Sequence, residues 1–374
     1  MELREYVLGD ICDRLSSGKG IPAKEVHDEG EFPVYGGNGL RGYTDHKNFE
    51  GDCGIIGRQG AFCGNVRYFS GEAYMTEHAV VVQAAEGFNT HYLTYLLSTM
   101  NLGRLSGQSA QPGLSVKTLA KQIVKIPDYE TQCKVSAILR IIDNKIGINE
   151  CINKNLLQQA EAIYKAWFCD RSFEDGSTPW PNTTIEDITN LVVRGITPKY
   201  NDDTDQIVIN QKCIRNHMID LSQARRHLPK AITEKWLVQG DLLINSTGEG
   251  TLGRVAQVWF DPNNLTVDSH VTIVRPKSSE LRNYIGLWGL THEAEIESLH
   301  TGSTGQTELP RERVKAMVLP LPDEFTLSRF NAIITPMTRS IVENQQENIR
   351  LAELRDALLP RLMSGELDVS CIAL

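Results

Sequence analysis

The stretch that decides the fold is TQCKVSAILRIIDNKIGINECINKNLLQQAEAIYKAWF, residues 131–168, together with a similar stretch near the C-terminus. Alternating steps of four and three residues from Val135 give ten positions, of which eight are apolar. An apolar repeat of this period, sustained over several heptads, predicts a helix that pairs as a coiled coil. The positions of this seam are Val135, Leu139, Ile142, Ile146, Asn149, Asn153, Leu156, Ala160, Ile163 and Trp167.

The same pattern occurs a second time, 195 residues later (330 − 135). It contains seven apolar positions of ten, a single charged residue, and two asparagines again at the fifth and sixth places. A pattern that recurs together with its polar interruptions indicates that the chain is a duplicated unit. The positions of this second seam are Phe330, Ile334, Met337, Ile341, Asn344, Asn348, Leu351, Arg355, Leu358 and Leu362.

The duplication extends upstream of both helices. Each helix follows a Pro-Asp pair, so Asp128 and Asp323 are predicted N-caps at the positive end of the helix dipole. Further upstream the repeat distance falls, for example to 192 between His78 and His270 (270 − 78). Such drift indicates short insertions in loops, where insertions are tolerated. Each unit therefore consists of a globular part of roughly 130–150 residues, a common domain size, and a long helix.

These observations predict a mixed α/β (α+β) chain in four parts. The parts are residues 1–127 and 171–322, which are globular, and residues 128–170 and 323–367, which form the two long helices. The helices are expected to pair as an antiparallel coiled coil with pseudo-two-fold symmetry. In that register Asn149 lies near Asn348 and Asn153 lies near Asn344, and buried asparagines of this kind fix the alignment of a coiled coil.

Composition narrows the class of protein. The formal net charge is −9, which counts against a chain that binds nucleic acid through its whole surface but leaves room for a small basic face. The hydrophobic fraction of 41% suits packed cores, and the chain lacks a run of eighteen apolar residues. The eight cysteines include no C-x-x-C pair, so we expect reduced thiols, no metal site and a cytoplasmic protein without a signal peptide.

Several enzyme-like motifs have simpler interpretations. The G-x-G-x-x-G match at residues 248–253 precedes a β-rich segment rather than a helix, so a hairpin loop is predicted instead of a dinucleotide site. The segment Ile126-Pro127-Asp128-Tyr129 is explained by entry into the helix. His78 and His270 each precede an apolar strand and are interpreted as hydrogen-bonded structural residues. No catalytic constellation is found in the sequence.

Taken in order, the repeated motifs resemble those of the specificity subunit of type I restriction-modification enzymes. They are the G-D-x-x-x-x-x-R/T segment (51–58 and 240–247), a T/D-x-H before an apolar strand (76–78 and 268–270), a G-x-x-x-Q loop (107–111 and 302–306) and the L/I-P-x helix entry. They cover nearly the whole chain. In the first of these motifs Arg58 corresponds to Thr247.

The resemblance implies that the globular parts are target recognition domains that bind double-stranded DNA. It further implies that the helices space these domains and dock two methyltransferase subunits, with restriction subunits in full complexes. S-adenosylmethionine and ATP would then bind to those partners, with no cofactor in this chain. About 38 helical residues at ~1.5 Å each form a rod of roughly 55 Å, long enough to separate two major-groove readers by a helical turn or more. Since the two globular parts differ in sequence, the DNA target should be bipartite and asymmetric.

Residues that read bases are expected on loops near the duplicated motifs and should carry basic, amide or hydroxyl side chains. In the first unit the candidates are Asn38, Arg41, Lys47, Arg58, Gln59, Gln108, Ser109 and Gln111. In the second unit they are Arg194, Lys199, Asn210, Gln211, Lys212, Ser246, Thr247, Arg254, Ser303 and Gln306. The outer face of the coil should contact a partner through Gln158, Gln159, Glu161, Lys165, Gln345, Gln346 and Arg350.

Two other classes of protein stay open at this point. An enzyme with its own methyltransferase or nuclease chemistry would show activity as an isolated chain, although its motifs are missing. A coiled-coil scaffold for other proteins would not purify with a methyltransferase, and the duplicated globular parts are unexplained by that role.

Overall fold

The chain forms two compact units, and each unit contains half of both long helices. Residues 1–147 and 348–374 make up the first unit, and residues 148–347 make up the second. The structure, a computed structural model, describes residues 2–106, 113–169, 180–230, 232–302, 307–369 and 372. The boundary between the two compact units therefore falls near the middle of each long helix. The four parts predicted from the sequence instead place each boundary between a helix and a globular region.

The first unit is built on a six-stranded sheet with the order β2-β7-β5-β6-β3-β4 and a two-stranded ribbon, β1-β8. Its strands are β1 (Arg4–Val7), β2 (Cys12–Ser17), β3 (Phe32–Gly36), β4 (Gly39–Thr44), β5 (Phe49–Gly57), β6 (Val66–Met75), β7 (Ala79–Ala84) and β8 (Ile123–Ile126). Its helices are α1 (Thr90–Thr99), α2 (Val116–Ala120) and the beginning of the long helix α3 (Tyr129–Tyr164). Leu93 and Leu97 of α1 are buried against β5–β7, as their helical spacing predicts.

The second unit repeats this plan with shorter strands. Its main sheet has the order β10-β18-β15-β16, beside a three-stranded sheet β14-β11-β17 and the ribbons β12-β13 and β19-β9. The strands are β9 (Asn182–Thr184), β10 (Thr189–Arg194), β11 (Ile207–Ile209), β12 (Ile214–Arg215), β13 (Met218–Ile219), β14 (Arg225–Arg226), β15 (Leu242–Asn245), β16 (Val255–Gln257), β17 (Leu265–Val267), β18 (Val271–Pro276) and β19 (Val318–Pro320). The helices are α4 (Ile185–Ile188), α5 (Arg282–Thr291), α6 (Glu293–Ser298), α7 (Arg311–Lys315) and the long α8 (Glu324–Met363). Strands β15 and β16 are antiparallel neighbours, so the G-x-G-x-x-G segment is the loop of a hairpin, as predicted.

The two long helices begin with the same capping arrangement. Asp128 accepts hydrogen bonds from the backbone N–H of Thr131 at 3.0 Å and from its hydroxyl at 2.8 Å. Asp323 accepts the equivalent bonds from Thr326 at 2.8 and 2.9 Å. These backbone hydrogen bonds lower the pKa of both aspartates, so the negative charge persists at the positive end of each helix. The predicted N-caps are therefore confirmed.

The buried stripe of α3 follows the predicted seam at first and then shifts by one residue. Val135, Leu139, Asn149 and Asn153 are buried. Beyond them the buried positions are Leu157, Ala160 and Tyr164 in α3 and Phe168 in the π-helical turn that follows it (Lys165–Cys169), so three of the four seam positions predicted there move by one residue. A straight helix drifts against a strict heptad because it has 3.6 residues per turn. The drift turns Tyr164 and Phe168 toward α5, with ring centroids 5.7 and 4.9 Å from the ring of Tyr284.

The predicted polar positions of the seam lie inside the pairing of the helices. In the second unit Asn344 Nδ2 donates to Asn153 Oδ1 at 2.8 Å, which is the contact that the antiparallel register predicts. Asn153 Nδ2 donates in turn to Ile341 O at 3.3 Å. Asn149, which is fully buried, donates to Glu347 Oε2 at 2.7 Å. The expected proximity of Asn149 and Asn348 stays a prediction.

In the first unit the same antiparallel direction holds. Asn348 Nδ2 donates to Ile146 O at 3.4 Å, and Arg355 Nη1 pairs with Asp143 Oδ1 at 2.9 Å. Asp143 also accepts a hydrogen bond from the hydroxyl of Tyr95 on α1. Arg355, the one charged residue of the second seam, therefore has a carboxylate partner on the facing helix.

Candidate nucleic-acid interface

One position at the end of a central strand is held by the same backbone contacts in both units. In the first unit it is occupied by Arg58, directly after β5. The N–H of Arg58 donates to His78 O at 2.9 Å, and its carbonyl accepts from Leu114 N at 2.8 Å. The following residue, Gln59, forms an isolated bridge with Gly113.

In the second unit this position is occupied by Ser246, directly after β15. The N–H of Ser246 donates to His270 O at 2.8 Å, and its carbonyl accepts from Leu309 N at 2.8 Å. The following residue, Thr247, forms an isolated bridge with Glu308. The structural counterpart of Arg58 is therefore Ser246 and that of Gln59 is Thr247, so the sequence match of Arg58 with Thr247 is wrong by one residue.

Arginines gather around this position in the first unit. The turn at residues 36–39 joins β3 to β4, and its exposed tip is Asn38. A Cβ on Gly36 would lie 2.7 Å from Arg41 Cδ, and a Cβ on Gly39 would lie 2.5 Å from Arg67 Nη1. A Cβ on Gly37 would lie 3.5 Å from the backbone N of Arg58. The structure thus brings together the predicted residues Asn38, Arg41 and Arg58 with one that was not predicted, Arg67.

We call Arg41, Arg58 and Arg67 the arginine cluster. Arg41 and Arg67 are exposed, and Arg58 is half-buried with its Nη1 3.4 Å from Ser17 Oγ. Within the described part of the chain, none of the three forms an ion pair with a carboxylate. Gln59 is also exposed beside the cluster. The arrangement presents positive charge and hydrogen-bond donors at one loop edge of an otherwise acidic protein.

Lys47 is less suited to DNA than the sequence predicts. Its ammonium group contacts Glu50 Oε2 at 2.8 Å and also Glu72. These two carboxylates raise the pKa of Lys47 and offset its positive charge locally. A phosphate would have to compete with both of them.

The second unit places neutral polar groups at the corresponding edge. Gln211 Nε2 donates to Thr247 O at 2.7 Å and to its hydroxyl at 2.5 Å. That hydroxyl shares a further hydrogen bond of 2.8 Å with Nδ1 of the exposed His270. The predicted residues Gln211 and Thr247 therefore form one hydrogen-bonded group with His270. This contact fits the structural role expected for His270, whose ring is also exposed at the candidate surface.

Three predicted readers of the second unit have structural roles. Ser246 is fully buried and shares a hydrogen bond of 2.6 Å with Thr272, so its side chain is removed from the set of candidate base readers. Asn210 accepts from Lys212 N at 2.8 Å as a helix cap. Arg194 is half-buried and pairs with Glu308 at 2.6 Å. A strand-end sequence does not reveal which of two successive side chains points inward, because one residue of slip exchanges the faces.

The remaining candidates lie at different places. Lys199 and Lys212 are exposed, and Arg254 is half-buried on the hairpin that joins β15 to β16. Five candidates lie outside the described residues: Gln108, Ser109, Gln111, Ser303 and Gln306.

A histidine that the sequence did not single out ties the second unit together. His217 lies in the turn between β12 and β13, where Asn216 and His217 both have positive φ, of 50° and 61°. Its Nδ1 lies 2.9 Å from Glu161 on α3, and its Nε2 lies 3.4 Å from Glu293 on α6. These two carboxylates raise the pKa of His217 to about 9. Glu161 was predicted to lie on an exposed face for a partner, and this contact corrects that prediction.

The described residues contain no group of three or more His, Cys, Asp or Glu side chains placed to hold a metal ion. Over the same residues, every helix is too short or too polar to cross a membrane.

Comparison with known proteins finds relatives of one kind. Residues 2–158 match the family model of the type I restriction modification DNA specificity domain. The chain is 40% identical over 147 residues to the type I restriction enzyme EcoprrI specificity subunit of Escherichia coli, a match that covers 38% of this chain and 36% of the relative. It is 24% identical over 311 residues to the MjaIX specificity subunit of Methanocaldococcus jannaschii, which covers 76% of this chain and 70% of that protein.

The fold is similar to that of a solved structure over nearly the whole chain. The crystal structure of the type I restriction-modification system S subunit from M. genitalium superposes with a TM-score of 0.64 at 14% identity, covering 97% of this chain and 96% of the other. The chain is thus similar to type I restriction-modification specificity subunits, in sequence most clearly over residues 2–158 and in fold over nearly its whole length.

Proposed function

We propose that this chain selects the DNA sequence on which a type I methyltransferase acts. It binds a bipartite, asymmetric double-stranded target, with one half-site for each unit, and it docks two methyltransferase subunits. Restriction subunits join the same assembly in full complexes. The catalytic chemistry belongs to these partners, with S-adenosylmethionine in the methyltransferase and ATP in the restriction subunit.

The observation that carries this proposal is that the same strand-end position occurs in both units, at Arg58 in the first and at Ser246 in the second. The backbone contacts of Arg58 and Ser246 are equivalent, but the side chains around them differ in charge and in hydrogen-bonding pattern. A repeated frame with different side chains suits two different half-sites, whereas identical side chains would suit a palindrome.

The charge distribution is consistent with a role that is shared among subunits. A net charge of −9 opposes strong binding to DNA phosphates by this chain alone. The arginine cluster nevertheless gathers three positive side chains at one loop edge, so base readout can reside there while partners supply most of the phosphate contacts.

The experiment that tests the proposal is a genome-wide map of adenine methylation with and without the gene for this chain. We expect one bipartite, asymmetric methylated motif to disappear when the gene is deleted. Replacement of residues 1–127 or 185–322 by the corresponding part of a relative should then alter one half of the motif each. An unchanged methylation map, with the chain and its partners expressed, would reject the proposal.

A further inference from the structure

The arginine cluster places three arginines around one turn, and within the described residues none of them pairs with a carboxylate. Arg275 pairs with Asp241 at 2.8 Å, and Arg194 pairs with Glu308 at 2.6 Å. By contrast, Arg41, Arg58 and Arg67 surround one turn without such a partner in the described residues. Neighbouring like charges repel each other, so a cluster of this kind favours a ligand that is anionic or rich in hydrogen-bond acceptors.

The geometry of the cluster favours reading of a base edge by its two exposed members. Arg41 and Arg67 approach opposite ends of the turn at residues 36–39, where glycines leave room for their side chains. A guanidinium group is planar and presents two parallel donors, which match the O6 and N7 acceptors of guanine in the major groove. Arg58 lies behind them, half-buried, and adds positive charge to the same edge.

The two positions of the second unit that correspond to Arg58 and Gln59 lack this chemistry. Ser246, which replaces Arg58, is buried, and Thr247 is engaged by Gln211 and His270. Arg194 is held by Glu308. Hydroxyl and amide groups discriminate among bases with different partners from those of arginine.

We propose that the half-site read by the first unit contains a guanine whose O6 and N7 atoms are recognised by Arg41 or Arg67. The second half-site is recognised at the equivalent edge without arginine. This inference rests on the proposed function, and it names the base chemistry that each of the two recognition edges selects.

The test uses the complete complex of this chain with its methyltransferase partners. Binding is measured by competition between the natural duplex and duplexes that carry 7-deazaguanine, which lacks N7, at each guanine of one half-site in turn. For the wild-type complex we expect one such substitution to weaken binding by about tenfold, the usual size of a bidentate base contact. Arg67→Ala or Arg41→Ala should abolish that sensitivity, and the lysine variant of the same residue should not restore it, because lysine keeps the charge but loses the fork.

The matched control is Arg4→Ala, which removes an exposed arginine of the same unit that lies 3.7 Å from Glu2. It should leave both the methylated motif and the sensitivity to 7-deazaguanine unchanged.

Two results would overturn the inference. One is a wild-type complex that is indifferent to 7-deazaguanine throughout the half-site that the first unit reads. The other is a set of arginine variants that bind every sequence more weakly, with an unchanged motif and a shallower salt dependence, as expected for phosphate contacts. Both differ from failure of the proposed function, in which deletion of the gene leaves the methylation map intact.

Discussion

At the scale of single residues, His217 shows how one side chain couples a short ribbon to two helices. Its ring nitrogens face Glu161 and Glu293, and it is largely sheltered, with 24% of its side chain exposed. Because the charged ring is favoured in the folded protein, the pKa of His217 lies near 9, above its value of 6.5 in an unfolded chain. The stabilisation is therefore complete below pH 6.5 and is lost as the pH rises through 9.

We expect His217→Gln to be less stable than the wild type at about pH 6, by roughly 1–3 kcal/mol in the free energy of unfolding. The difference should narrow as the pH is raised to about 9.5, where the wild-type ring has lost its proton. Denaturant titrations of both proteins across this pH range measure the effect. A difference for His217→Gln that is constant with pH would refute the charge-based explanation.

Single residues also mark the limit of prediction from the sequence. Asp128 and Asp323 could be assigned as caps because the signal is local: a Pro-Asp pair followed by a helical pattern. Arg67 and the contact of His217 with Glu161 depend on which strands and helices become neighbours, and spacing along the chain does not carry that information. The prediction of Ser246 as a base reader was wrong for a related reason, because the burial of its side chain depends on the register of β15 against its neighbours.

At the scale of elements, the long helices were the most predictable part of the chain. Their apolar period, their N-terminal caps and their polar interruptions are all local features of the sequence, whereas their C-terminal ends, predicted at residues 170 and 367, lie at Tyr164 and Met363. The shift of the stripe to Tyr164 and Phe168 was not predicted, because a strict heptad ignores the drift of a straight helix. Their partner, α5, lies more than a hundred residues further along the chain, and local spacing does not reveal it. Strands and hairpins were predicted from the sequence, but the order of the strands within each sheet is known only from the structure.

The asparagine pair of the coil offers a test at this scale. Asn153→Leu leaves the half-buried Asn344 without its acceptor, and Asn344→Leu removes the donor to Asn153. We expect each single variant to be destabilised by roughly 1 kcal/mol, and the double variant to recover much of the loss, because both polar partners are then removed together.

The measurement is a double-mutant cycle on the free energy of unfolding. Gln346→Leu, at an exposed position of α8, serves as the control for a change from amide to leucine. Losses that simply add in the double variant would show that the two asparagines are energetically independent.

At the scale of the whole molecule, neither globular part has a complete core without the long helices. The core of the first unit includes Val135 and Leu139 from α3 and Leu362 and Met363 from α8, together with Leu97 of α1. Residues 1–127 alone lack four of these buried side chains. Loss of such contacts exposes apolar surface that is covered in the full chain.

We therefore predict that the fragment 1–127 is much less stable than the fragment 1–147 co-expressed with residues 348–374. Thermal unfolding followed by circular dichroism, with matched concentrations, compares the two. The control is the fragment 1–147 by itself, which should be intermediate because it restores the α3 contribution but not that of α8. Equal melting temperatures for all three would mean that the helices do not contribute to this core.

The division of each helix between two cores also bears on how such proteins change over generations. A gene segment that encodes a new recognition part can be acquired by recombination, but the product folds only if its inner face accepts the resident helices. Side chains that meet those helices, such as Tyr95 of α1, which donates to Asp143 of α3, should then change slowly among lineages, while the loop edge at residues 36–39 is free to diversify. Substitutions that change DNA specificity would thus accumulate at the loop edge, and the surface that packs on the long helices would keep its sequence.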